Sequence, residues 1–306
     1  MKSGDLTRQL IEEALAIEAH EAKEAGALGY MARALVQATM PHSKPTQNEF
    51  VRRNGAFTLT ILAPSKIGLP YGSVPRIMLA WLTTEAVRTR QREIVLGQSL
   101  SHFMRQLDMM PSGGRWGSIT RLREQSRRLF TSSVSCEYQG EQMHGEMGFR
   151  LADHHMLWWD PKSPDQQSLF ESSVHLSERF FEELIERPVP IDLRALKALK
   201  KSPLAIDIYC WLTYRMSYLS RLTTIPWPVL QLQFGSEYGR VRDFRAAFSE
   251  QLRKVHLVYP KVSVSLTSSG LVLKPSLPHI PRMAPLVDKP VSSDTYPRIN
   301  GRVKEP

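Results

Sequence analysis

The chain has 306 residues, a length at which two domains are expected, and 42% of its residues are apolar while 23% are charged. This composition is that of a globular protein, and it excludes a wholly disordered, collagen-like or coiled-coil chain. Forty Lys and Arg against 30 Asp and Glu give a net charge of +10. The first 30 residues hold three basic and six acidic side chains, so the remaining 276 residues carry +13. A body this basic indicates a polyanionic partner, either nucleic acid or an anionic membrane surface.

Two sequence features argue against a membrane protein. No apolar run approaches the roughly 18 residues that a spanning helix needs, and the first residues lack the pattern of a secretion signal. We therefore expect a soluble, cytoplasmic protein. The two cysteines, Cys136 and Cys210, are too few for a disulfide framework, and neither has a second Cys or His at zinc-ligand spacing. Reduced packing side chains are favoured over a functional thiol.

The first predicted elements are helices. Residues 1–28 are predicted to form an acidic amphipathic helix, because apolar side chains recur at spacings of four, four and three: Leu6, Leu10, Ala14 and Ile17. A second helix is predicted over 28–36 and ends before Met40-Pro41. Residues 57–62 alternate apolar side chains with Thr and predict a strand.

Three more helices are predicted, and a hairpin follows them. Ser73 is predicted to cap the first helix, the second begins near Ser99, and the third places Ile119 and Leu122 on one face. Residues 134–138 and 146–151 then predict two strands of a hairpin attached to the third helix. Three helices followed by a hairpin are typical of a winged helix, the helix-turn-helix variant whose third helix can enter the major groove of DNA.

The same order is predicted a second time, after a linker at residues 160–167. Helices are expected from Ser202-Pro203, from Pro226 to Gly235 and from Val241 onward, and residues 261–266 and 271–274 predict a second hairpin. In addition, residues 210–213 repeat the pattern of residues 80–83. The predicted fold is therefore α+β, with winged-helix domains at 29–160 and 161–280 and a disordered tail at 281–306.

Motifs of common enzymes are missing from the sequence. The chain contains no Gly-Lys dipeptide, which excludes the phosphate-binding loop of an ATPase or helicase, and no Gly-x-Ser-x-Gly or His-Glu-x-x-His occurs. His154 and His155 are neighbours in a predicted strand, so their side chains point to opposite faces and are unsuited to one metal ion. We expect no catalytic residues, no cofactor and no metal.

Positive charge on the two third helices is the remaining functional signal. From Arg115 to Arg128 the chain has five basic side chains and one acidic, and a similar stripe runs from Arg240 to Lys254. A solubilising charged face is the simpler interpretation, but Arg prevails over Lys here, and Arg suits bidentate contacts to guanine and phosphate. The predicted DNA-binding residues are Arg115, Thr120, Arg121, Arg123, Arg127, Arg240, Arg242, Arg245, Ser249, Arg253 and Lys254.

Several longer segments resemble the RepA-type replication initiators of bacterial plasmids. They are GYMARAL at residues 29–35, GLPYG at 68–72, WLTTEAVR at 81–88, GGRWGSITRLR at 113–123, DIYCWLTYR at 207–215 and PSLP at 275–278. The resemblance implies a protein that binds repeated sequences in double-stranded origin DNA, helps to open the duplex and recruits host replication proteins, including the host initiator and helicase. The absence of a phosphate-binding loop agrees with an initiator that uses the helicase of the host.

Alternatives to this interpretation remain open. A transcriptional regulator of the same fold would bind one operator, and a DNA-processing enzyme would need an active site without any of the motifs named above. The acidic N-terminal helix would be repelled by DNA, so we expect it to pack on a protein, either a second copy of this chain in a homodimer or a host replication factor. Packing on its own domain is the other interpretation.

Overall fold

The computed structural model of the protein describes residues 21–140, 144–160, 162–235 and 237–281, together with Leu10, Glu13, Ala14 and Ile17. The predicted tail beyond residue 281 and much of the predicted N-terminal helix lie outside these residues. The described chain combines helices and strands, which confirms the α+β class.

The elements of the first half run from residue 28 to residue 176. In chain order they are β1 (Leu28–Met31), α1 (Arg33–Gln37), β2 (Glu49–Asn54), β3 (Phe57–Leu62), α2 (Ser73–Thr89), β4 (Glu93–Gly97), α3 (Leu100–Gln106), α4 (Ser118–Thr131), β5 (Ser133–Gln139), β6 (His144–Arg150), β7 (Ala152–Met156) and β8 (Ser172–Leu176).

The elements of the second half run to residue 273. They are α5 (Glu178–Glu186), β9 (Val189–Asp192), α6 (Leu193–Leu199), α7 (Pro203–Met216), β10 (Thr223–Pro226), α8 (Trp227–Phe234), α9 (Val241–Val258), β11 (Val264–Leu266) and β12 (Gly270–Leu273).

One order of elements occurs twice. The series α2, β4, α3, α4, β7, β8 and the series α7, β10, α8, α9, β11, β12 both run helix, strand, helix, helix, hairpin, except that β5 and β6 are inserted between α4 and β7 in the first series. In each series the last strand lies between the other two, in antiparallel sheets of order β4-β8-β7 and β10-β12-β11. Residues 80–83 and 210–213, which share a sequence pattern, lie in α2 and α7. The first helix therefore carries the repeated pattern in both series.

The first hairpin differs from the prediction. Residues 134–138 and 146–151 do form paired strands, β5 and β6, but β5 also pairs with β3, giving a four-stranded sheet of order β2-β3-β5-β6. Strand β5 is therefore central in its sheet, and its side chains Val134 and Cys136 are buried on one face. The hairpin that pairs with β4 is instead β7 and β8. Since β8 ends at Leu176, this sheet extends across residue 160, where the sequence analysis placed a domain boundary.

The predicted helix over residues 28–36 is also partly wrong. Residues 28–31 form β1, which pairs with β9, and only Arg33–Gln37 is helical. Burial alternates along β1, as it does in a strand. The spacing of the apolar residues over 28–36 also fits a helix, so the pairing with the distant strand β9 decides the conformation.

Helix ends agree more closely with the predictions. Ser99 and Ser202 cap α3 and α7 by accepting hydrogen bonds from backbone N–H groups, and Gly235 ends α8. Ser73, in contrast, is the first residue of α2, and Gly72 occupies the capping position with a φ of 78°. A glycine takes that left-handed value without strain.

A buried ion pair joins the two series where α2 meets α7. Arg76 donates to Asp207 through Nε and Nη2 at 2.7 and 2.8 Å, and Nη2 also donates to the Met40 carbonyl at 2.6 Å. His42 Nε2 lies 2.7 Å from the same carboxylate. Burial opposes the charge of Asp207, but Arg76 and His42 outweigh it and hold its pKa below the usual value. Burial lowers the pKa of His42 despite this carboxylate.

The N-terminal apolar stripe packs on the chain itself. Ile17 is buried in the main core, and Leu10 and Ala14 lie against that core, while Leu6 is outside the described residues. Packing on another protein was the first expectation for this stripe, but these three side chains pack on the chain itself. Packing on the protein's own core, the other interpretation, accounts for their burial.

Candidate nucleic-acid interface

Helix α4 presents one apolar and one basic face. Ile119, Leu122 and Leu129 are buried, which turns the opposite side of the helix toward solvent. The predicted residues on that side are all exposed, as is Arg115 in the preceding loop: Thr120, Arg121, Arg123 and Arg127. Amphipathic periodicity therefore placed the basic face correctly.

The GLPYG segment at residues 68–72 holds α4 in position. Arg128, on the buried side of α4, donates to the Leu69 carbonyl at 3.0 Å and to Glu124 at 2.6 Å. The Tyr71 N–H donates to Gln125 Oε1 at 2.9 Å. Gly68 has a φ of 81°, and a Cβ there would lie 2.7 Å from Arg128 Nη1. The segment is more than the predicted turn, because these contacts anchor the basic helix.

Helix α9 has the same division of faces. Phe244, Phe248, Leu252 and Val255 are buried, whereas the predicted arginines are exposed: Arg240, Arg242, Arg245 and Arg253. The exposed faces of α4 and α9 are both arginine-rich.

Four of the residues predicted on α9 already have partners within the chain. Arg245 lies over the Trp227 ring at 5.4 Å, and Arg242 Nε is 3.6 Å from Asp243 Oδ1. Ser249 and Lys254 are half-buried. The Ser249 hydroxyl donates to the Arg245 carbonyl at 2.7 Å, and Lys254 Nζ donates to Glu250 at 3.0 Å. These two side chains are therefore less accessible to a ligand than the arginines.

The histidine and cysteine side chains have structural surroundings. His154 stacks on His175 with ring centroids 4.8 Å apart, and His155 lies 5.2 Å from the Phe130 ring, so the adjacent pair points to different neighbours as predicted. The described residues include no group of three or more His, Cys, Asp or Glu that could hold a metal ion. Cys136 and Cys210 are both free and buried. Burial raises the pKa of Cys136 to about 12, which suppresses the reactive thiolate.

No helix among the described residues combines the length and apolar character that crossing a bilayer requires.

Two comparisons with solved structures concern the fold. Domains 2 and 3 of RctB, in a selenomethionine form, match with a TM-score of 0.50 and 13% identity over 76% of this chain and 94% of that chain. A second structure of the RctB domains 2–3 matches with a TM-score of 0.48 and 14% identity over 79% and 96%. At this identity the first match supports a shared fold.

Comparison of sequences supplies the family. No match to a curated protein was found. The profile of the family described as "Plasmid encoded RepA protein" matches residues 69–227. This match spans just over half of the chain, from the GLPYG segment through α4 to the start of α8, and it ends before α9. The chain therefore belongs to the family of plasmid-encoded RepA proteins, the replication initiators that its sequence motifs resemble.

Proposed function

We propose that the protein initiates plasmid replication by binding repeated sequences in double-stranded origin DNA through α4 and α9. The observation that carries this proposal is the position of the two helices. Each is the third helix of a series that runs helix, strand, helix, helix, hairpin, and each turns a row of exposed arginines to solvent.

The two series are proposed to be winged helices. A hairpin that follows the third helix and pairs with the strand after the first helix, in sheets of order β4-β8-β7 and β10-β12-β11, supports this assignment. In such a domain the third helix would enter a major groove and the hairpin would form the wing. The first domain would then extend from residue 29 to Leu176, to include β8, and the second would follow it to about residue 280.

Charge favours DNA over other partners for these helices. The body of the chain carries +13, and a duplex offers one phosphate charge for about every 1.7 Å of its length. A solubilising surface needs charge of either sign and commonly mixes Lys with Glu, whereas arginines on a single face supply the geometry that phosphates and guanine edges require.

Opening of the duplex and recruitment of host proteins complete the proposal. The sequence has no phosphate-binding loop for ATP, so strand separation beyond the origin would depend on the host helicase, brought in with the host initiator. The protein would act as a DNA-binding assembly factor without catalytic residues, as a monomer or a homodimer.

A minimal plasmid tests the function. It carries only this gene, its flanking DNA and a resistance marker, and we expect it to be maintained in the natural host. A matched plasmid that encodes Arg123→Ala together with Arg253→Ala should be lost. Binding to the flanking DNA without maintenance would favour a transcriptional regulator. Cleavage of labelled flanking DNA in the presence of Mg²⁺ would favour a DNA-processing enzyme.

A further inference from the structure

Trp116 is a solvent-exposed aromatic side chain beside the arginines of α4. Its exposed fraction is 80%, and it lies in the loop immediately before the helix. Burying an aromatic ring is one of the larger favourable contributions to folding, so folding by itself gives no reason to keep this ring in water.

The loop that carries Trp116 has a defined path. The Ser112 N–H donates to Ser118 Oγ and the Ser118 N–H donates to Ser112 Oγ, both at 2.9 Å. Ser118 Oγ also donates to the Met110 carbonyl at 2.6 Å. A Cβ on Gly117 would lie only 2.2 Å from the Ser112 carbonyl oxygen, so this close turn requires glycine. The ring is therefore displayed from an ordered loop.

The surroundings of the ring are cationic. The Arg115 guanidinium lies 5.1 Å from the ring centroid, within the range of a cation–π contact. Arg121 and Arg123 are exposed on the first turns of α4. Proteins bind unstacked nucleotides with this combination: the base stacks on an aromatic ring, and neighbouring arginines bind the phosphates.

We propose that Trp116 stacks on a base that leaves the duplex stack when α4 binds origin DNA. This inference rests on the proposed binding of DNA by α4. A base in an intact duplex has both faces covered by its neighbours, so a ring can stack on it only where a step has opened. By offering a replacement face, Trp116 would lower the cost of opening that step and couple binding to local distortion.

The experiment compares Trp116→Ala and Trp116→Phe with the wild-type full-length protein on duplex from the DNA that flanks the gene. Affinity is measured by fluorescence anisotropy, and base unstacking by the permanganate reactivity of thymines. We expect the wild-type protein to raise this reactivity at discrete thymines. Trp116→Ala should weaken binding by roughly 5- to 150-fold and abolish the reactivity, while Trp116→Phe keeps most of both.

Trp158→Phe is the matched control, because Trp158 is also exposed but lies in the loop after β7, against Phe170. It should bind and distort DNA like the wild type, and all variants should keep the wild-type melting temperature. Equal binding and reactivity for Trp116→Ala and wild type would overturn the inference. Weaker binding with unchanged thymine reactivity would overturn stacking as well. If the wild-type protein binds no flanking DNA, the proposed function itself fails.

Discussion

Asp207 accepts two hydrogen bonds from Arg76 in the buried contact between α2 and α7, and Arg76 is 1% exposed. Replacement by Ala would leave that guanidinium buried without its carboxylate. We expect Asp207→Ala to lower the free energy of unfolding by about 3–5 kcal/mol, the range measured when one member of a buried pair is removed. Denaturant unfolding followed by circular dichroism measures the loss.

Asp153 provides the control for that substitution. It forms a 2.9 Å ion pair with Arg92 at the surface, where its side chain is 47% exposed. Such exposed pairs contribute about 0–1 kcal/mol, so Asp153→Ala should be close to neutral. Similar losses for the two variants would mean that burial does not set the importance of the Asp207 pair.

The arginines of α9 should differ from the neighbouring lysine in their effect on DNA binding. If Arg253 binds a guanine edge, Arg253→Ala should weaken the free energy of DNA binding by about 1–3 kcal/mol and relax the preference at one base position. Arg242→Ala should have the same effect at another position. Lys254 is already bonded to Glu250, so Lys254→Ala should weaken all sequences slightly and equally. Dissociation constants for the site and its single-base variants test this. Uniform small losses for all three variants would make the stripe a solubilising surface.

At the scale of elements, the GLPYG segment should control the position of α4. Gly68→Ala would place a methyl group against the Arg128 guanidinium at a backbone φ that only glycine adopts without strain. We expect a loss of about 1–3 kcal/mol in the free energy of unfolding and weaker DNA binding. Thermal melts and anisotropy titrations measure the two effects.

Gly113→Ala is the appropriate control for Gly68→Ala. Gly113 also precedes α4, but no atom lies within 4 Å of a Cβ built there and its φ is not in the left-handed region. This variant should melt and bind DNA like the wild type. A wild-type result for Gly68→Ala would show that α4 holds its position without the segment.

The segment that follows β12 is anchored to the core by His279. Its Nδ1 lies 2.8 Å from the Tyr209 hydroxyl, which accepts a hydrogen bond from the Asp192 N–H, and its ring stacks on Tyr259. Burial lowers the pKa of His279 to about 4, against 6.5 without burial. The unfolded chain therefore binds a proton between these pH values that the folded chain excludes.

The contribution of His279 to the free energy of unfolding should accordingly be fully present above pH 6.5. It should decrease as the pH falls toward 4, by up to about 1.4 kcal/mol per pH unit. His279→Gln should reduce the slope of unfolding free energy against pH in this window. Burial also lowers the pKa of His42, so part of the slope should remain in this variant. An unchanged slope in His279→Gln would show that His279 does not contribute to it.

At the scale of the whole molecule, the buried contact between α2 and α7 should hold the two basic helices at a fixed separation. We expect a protected site of roughly 20 base pairs per monomer, with contacts in two major grooves about one helical turn apart. Inserting about five base pairs between the two half-sites should abolish tight binding, because it turns the second half-site to the opposite side of the duplex. Footprinting and titration of the altered site measure this. Equal affinity for the original site and the lengthened site would mean that the two basic helices are not held at a fixed separation.

Salt dependence should report the number of phosphates that the two helices contact. With six to ten contacts, log K should fall with log salt at a slope of roughly −5 to −9. Quadruple replacement of Arg123, Arg127, Arg242 and Arg253 by Ala should make the slope shallower by up to about four. A slope near zero for the wild-type protein would exclude binding through phosphate charge.

Local patterns in the sequence predicted much of this protein. Amphipathic periodicity placed α4 and α9 and turned their arginines outward. The predicted helix starts near Ser99 and at Ser202 are also confirmed, because each start is fixed by a hydrogen bond within a few residues of the helix end. The recurrence of three helices was also visible, since each helix buries its own apolar face wherever it packs. The family motifs agreed with the later match of the RepA profile to residues 69–227.

Pairings between distant segments were decided by the tertiary structure alone. Residues 28–31 became a strand because β9 lies beside them, and β5 joined β3 because a strand's side-chain alternation does not identify its neighbours. The polar strands β7 and β8, 15 residues apart with no tight-turn signal, were recognisable only by their pairing with β4. The Arg76–Asp207 pair and the burial of Ile17 likewise depend on contacts between distant segments. Partner choice in a fold depends on contacts between residues far apart in the chain, and local periodicity holds no information about them.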